Sequence, residues 1–190
     1  MRIRTILVAA AAPLALGGVL LTATAASAAP NGATGTITCT DATNSNPLDG
    51  TAINANLDVP AGQTCRLMWA EVTGNVSVEG TLVAAYVTFD RNVGVNGGSL
   101  SLFNGGSHIK GNLSVTGSSG YWDGGPYTSL GDYNDAGASQ VDGNFSFIGN
   151  SGRLYVGGPL DVSRNFTYAS NTGPAPDLSG LHVLGSQSMS

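Results

Sequence analysis

A seven-residue unit centred on asparagine recurs six times along the chain, and it restricts the folds available to it. Take Asn56, Asn75, Asn92, Asn112, Asn144 and Asn165 as position zero. Position +1 is then always apolar: Leu57, Val76, Val93, Leu113, Phe145 and Phe166. Position +3 is Val59, Val78, Val95, Val115, Phe147 and Tyr168, and position −3 is Ile53, Val72, Phe89, Ile109, Val141 and Val162. Side chains alternate across an extended chain, so these three positions share one face. Position −2 (Asn54, Thr73, Asp90, Lys110, Asp142, Ser163) is polar and belongs on the other. Successive asparagines are 19, 17, 20, 32 and 21 residues apart. A period near 20 with strand-type alternation marks a solenoid of β-strands.

Position −1 is Ala55, Gly74, Arg91, Gly111, Gly143 and Arg164. Strict alternation would send it inward, but a lone guanidinium is too costly to bury. The chain must therefore bend at −1 or at the asparagine. Glycine and asparagine tolerate left-handed backbone angles, which are the angles expected at this corner. A second apolar side shows in Leu82 and Ala84, in Leu100 and Leu102, and in Leu154 and Val156. Three short strands and three corners per repeat predict an all-β fold: one parallel β-helix of about seven coils of 17–21 residues, expected right-handed. An antiparallel sandwich would instead show hairpin turns between facing strands.

Gly35-Thr36-Ile37-Thr38-Cys39 is a weaker copy, with Thr36 at position zero and Cys39 at the inward +3 position. Cys65 falls near the second-side column of Leu82 and Leu100, one coil later. The two cysteines are either a disulfide between neighbouring coils, as an exported chain would favour, or two buried thiols. Two cysteines with the distant His108 and His182 do not make a metal site. Leu178, Leu181, Val183 and Leu184 read as a last partial coil or cap.

Arg2 and Arg4, an apolar stretch from Ile6 to about Leu21, and Ala26-Ser27-Ala28 form the pattern of a secretory signal peptide over 1–28. A membrane anchor is the competing reading. The small-residue flank favours cleavage and a secreted, extracellular product with no membrane insertion. The β-helix is expected over 29–184 and a disordered tail over 185–190. Without the leader, five Lys and Arg face twelve carboxylates, a poor balance for binding nucleic acid.

The asparagine column is open to two readings: a ladder of amides hydrogen-bonded from coil to coil, or exposed turn residues. Asn75, Asn112, Asn144 and Asn165 also match the glycosylation sequon. The repeat itself generates that match, so it is read as coincidence. The spacing of 32 marks an insertion, expected as one loop over 118–138 outside the stack. It carries Tyr121, Trp122, Asp123, Tyr127, Asp132, Tyr133 and Asp135. Aromatic rings beside carboxylates suit sugar rings, and these seven residues are the candidate ligand site. The bland reading is a loop packed onto the solenoid. Asp132, Asn134 and Asp135 lack a recognised Ca²⁺-loop pattern. No cofactor is expected. No Ser-His-Asp set or phosphate-binding glycine loop is present, and His108 and His182 stand alone.

The units Gly74-Asn75-Val76-Ser77-Val78, Gly111-Asn112-Leu113-Ser114-Val115 and Gly143-Asn144-Phe145-Ser146-Phe147 resemble those of two groups. One is the small exported β-helix proteins of actinobacteria, which the Ala-rich leader and the run Pro60 to Cys65 also resemble. The other is the bactofilin-type, polymer-forming β-helices. The second resemblance implies end-to-end polymerisation, and neither implies functional residues. The resulting expectation is an exported, non-catalytic structural or surface protein, self-associating through its coil ends. The alternatives are a carbohydrate-binding module using the insertion, and a polysaccharide-active enzyme.

Overall fold

The structure, a computed structural model, describes residues 35–40, 48–119, 128–131 and 137–190. Among them there is no helix, and every strand pairing is parallel. Three sheets run the length of the stack, and the chain visits them in a fixed order. The repeat unit supplies the first sheet, which has eight strands: Thr36–Thr38, Asn56–Val59, Val76–Val78, Val93–Asn96, Leu113–Thr116, Phe145–Ile148, Phe166–Ala169 and Gln187–Met189. The second has five: Thr64–Met68, Thr81–Ala85, Ser99–Leu102, Thr128–Leu130 and Leu154–Tyr155. The third has seven: Ala52–Ile53, Glu71–Val72, Thr88–Phe89, His108–Ile109, Ser139–Val141, Leu160–Val162 and Leu181–Val183. The protein is a parallel β-solenoid.

The register follows the sequence columns. Val78, Val95 and Val115 are paired in series, as are Val76, Val93 and Leu113. Equal positions therefore lie one above another, and like side chains fill one continuous core. Leu57, Val93, Val95, Leu113, Phe145 and Phe166 are almost fully buried, as are Leu82, Leu100 and Leu102 from the second sheet. The aromatic rings of the last coils meet within the column: Phe145 and Phe166 are tilted with centroids 5.0 Å apart, and Phe147 and Tyr168 are stacked at 5.7 Å. Cys39 and Cys65 form a disulfide between the first two coils, with Cα atoms 5.6 Å apart. Among the described residues no helix is long and apolar enough to cross a membrane.

Three expectations are corrected. First, none of the six asparagines, and none of the glycines preceding them, has a positive φ. The corner is an ordinary bend, and its glycines serve close approach instead. A Cβ on Gly143 would collide with the Gly111 carbonyl of the coil before, and one on Gly74 with that of Ala55. Second, the insertion is not one loop over 118–138. Thr128–Leu130 is a strand of the second sheet, with Thr128 and Leu130 buried, because that stretch alternates like its neighbours and completes the coil. Third, the last residues are not a disordered tail. Gln187–Met189 pairs with Phe166–Ala169 and adds an eighth strand to the first sheet. It repeats the unit with Ser186 at position zero and Val183 at −3, and the polar Gln187 at +1 hid it.

Candidate functional site

The asparagine column is laddered and lies at the surface, with Asn56 and Asn144 half-buried and the other four exposed. Each amide oxygen accepts from the next coil: Asn56 Oδ1 from the Asn75 N–H (2.9 Å), Asn92 Oδ1 from the N–H and Nδ2 of Asn112 (2.9 and 3.0 Å), and Asn112 Oδ1 from those of Asn144 (2.9 and 3.1 Å). The column ends where Asn165 Oδ1 accepts from the N–H and hydroxyl of Ser186 (3.1 and 2.7 Å). It is a structural device on the surface. Replacing Asn112 by alanine removes the acceptor for two donors that water can still reach. We expect a loss of about 1 kcal/mol in denaturant unfolding; a loss of only a few tenths would make the ladder incidental.

A second ladder runs along the corner after the first sheet. Asn150, 1% exposed, accepts from the Ser118 N–H at 2.8 Å, and its own N–H donates to Asn171 Oδ1 at 2.8 Å. Asn150 Nδ2 and Asn171 Nδ2 donate to the carbonyls of Val115 and Phe147 (3.1 and 2.9 Å). Each thereby brings a side-chain donor to a carbonyl near the end of a first-sheet strand and ties the corner to it.

The outward face of the third sheet gathers charge. Lys110 Nζ donates to Asp90 at 2.7 Å, and that hydrogen bond holds the ammonium pKa above its ordinary value. His108 Nε2 lies 2.9 Å from Asp142 Oδ2, and His182 Nδ1 lies 3.1 Å from Asp161 Oδ1. The two histidines, solitary in sequence, each have a carboxylate from an adjacent coil. Gln140 Nε2 also donates to Asp142 at 2.8 Å. Among the described residues no three His, Cys, Asp or Glu cluster as metal ligands.

Where the second sheet turns into the third, Trp69 and Tyr86 occupy equivalent corners of adjacent coils. Their rings are parallel to within 2°, with centroids 6.0 Å apart, and they are 63% and 42% exposed. Both have positive φ, 52° and 55°. That backbone costs about 1 kcal/mol or more for a side chain of this bulk. A shallow surface depression of about 430 Å³ opens beside them, lined also by Gly50, Thr51, Glu71 and Thr88. The candidate residues Tyr121, Trp122, Asp123, Tyr127, Asp132, Tyr133 and Asp135 lie outside the described residues. No protein-family model matches the chain, nor does any curated protein or solved structure. The site must therefore be read from its own chemistry. The exposed aromatic pair was open to discovery in sequence only as two large rings placed 17 residues apart, one repeat length.

Proposed function

We propose that the chain is an exported, non-catalytic structural or surface protein that associates with its own copies through the coil ends. One observation carries this reading. The first sheet ends on Thr36–Thr38 and on Gln187–Met189, and among the described residues no strand pairs the outer edge of either. Gln187–Met189 is exposed throughout. Phe166 N–H donates to Ser186 O and Ser190 N–H to Tyr168 O. In a parallel ladder alternate residues face one neighbour, so the backbone groups of Gln187 and Met189 face outward. Open strand edges of this kind template pairing with another chain. The leader-like segment over 1–28 and the disulfide support export.

Light scattering across a concentration series tests the proposal. The expected result is a mass that rises with concentration. Met189→Pro removes an outward donor without touching the inner ladder, and should return the mass to that of one chain while leaving the melting temperature within about 1 °C. A strict monomer at high concentration would sink the proposal.

A further inference from the structure

We infer that Trp69 and Tyr86 form a binding ledge for a neutral sugar ring of a polysaccharide. The first ground is backbone strain. Gly50, with φ of 67°, precedes Trp69 by one coil at this corner, and Asn104 and Gly106, with φ of 59° and 68°, follow Tyr86. Glycine and asparagine adopt that conformation at little cost. The two coils between them place the bulkiest side chains at the same corner and leave both rings exposed. Stability gains little from this arrangement, and strained backbone of this kind clusters at functional sites.

The second ground is space. A Cβ on Gly106 would come within 3.1 Å of the Tyr86 ring, so the glycine is what lets that ring lie over its backbone. Gly50 puts no side chain over the cavity beside Trp69, and a Cβ there would meet nothing within 4 Å. The space beside the rings, about 430 Å³, is a shallow depression open to solvent, which suits a ring laid on a surface rather than a ligand enclosed in a pocket.

The third ground is chemistry. Thr51, Glu71 and Thr88 line the cavity beside the two rings. A pyranose offers an apolar C–H face for an indole and hydroxyl donors for a carboxylate, and the two sets of groups are complementary. Among the described residues no cation lines the cavity, which disfavours phosphate and carboxylate ligands. This site is separate from the coil ends, so it stands or falls apart from self-association.

The full chain is titrated with the hexasaccharides of cellulose, chitin, xylan and mannan, read by tryptophan fluorescence and calorimetry. At least one should bind with a change in Trp69 emission. That change should persist in Trp122→Phe, where Trp69 is the only tryptophan. Trp69→Asn restores a residue suited to the corner; it should weaken binding about tenfold or more while raising the melting temperature. Tyr86→Asn should weaken binding severalfold. Failure of all four sugars to bind overturns the inference. So does binding that survives Trp69→Asn, or binding lost in Trp122→Phe and kept in Trp69→Asn. Sugar binding by a strict monomer would support the ledge while removing the coil-end association.

Discussion

Val95→Asp abolishes cooperative unfolding: circular dichroism should show no sharp thermal transition where the parent chain has one. Val95 sits in the middle of the stack, 1% exposed, paired in register with Val78 below and Val115 above. A carboxylate there faces only apolar side chains. An ionised group buried without a partner costs several kcal/mol, and a protonated one still lacks its hydrogen bonds. The net stability of a domain this size is about 5–15 kcal/mol, so the loss consumes much of it. Coils contact only their neighbours, so the damage should divide the stack into two weaker halves. An unchanged melting curve would mean that the +3 column does not face the core. Ser114→Asp, on the outward side of the adjacent strand with Gly94 and Ser146 in register beside it, should be nearly silent and serves as the control.

Removing the disulfide is the second large effect. Cys39 and Cys65 are 26 residues apart. On the chain-entropy account, cross-linking a loop of that length stabilises the fold by about 3.5 kcal/mol. The double change Cys39→Ala and Cys65→Ala should lower the melting temperature by roughly 10 °C, at about 2–4 °C per kcal/mol for a chain of this size. Both sulfurs are buried, so alanine also leaves a small void. Hydrogen exchange should show the loss first in Thr36–Thr38, whose one sheet neighbour among the described residues is Asn56–Val59. A melting temperature that moves less than about 2 °C would mean that the first coil is held by packing alone.

The sequence made the core legible because burial here is local: three columns of apolar residues recur at fixed offsets from one asparagine. The same logic placed Cys39 inward and Cys65 in the column of Leu82, with which it pairs. What escaped depended on other offsets. Gln187 and Met189 form a coil whose polar +1 residue breaks the pattern, although backbone pairing does not require an apolar side chain. Asn150 and Asn171 make a ladder in two coils only, too few to stand out as a repeat. His108 and Asp142 meet across the long coil, 34 positions apart, a separation no regular spacing would suggest. Thr128–Leu130 was hidden among turn residues that surround it. Trp69 and Tyr86 sit at a corner whose length varies between coils, so their alignment depends on the pairing of Met68 with Ala85.

The outer asparagine column also has a direction. Asn92, Asn112, Asn144 and Asn165 each donate backbone and side-chain N–H groups to the asparagine before them, and each offers its oxygen to the residue after. A finished coil therefore carries a ready side-chain acceptor for its successor, whose asparagine carbonyl in turn accepts the +1 backbone N–H of the coil before, as Asn144 does from Leu113. Synthesis delivers the coils in that same order. Growth from the N-terminus can proceed as docking onto a completed template, one turn at a time, with the Cys39–Cys65 staple fixing the starting turn.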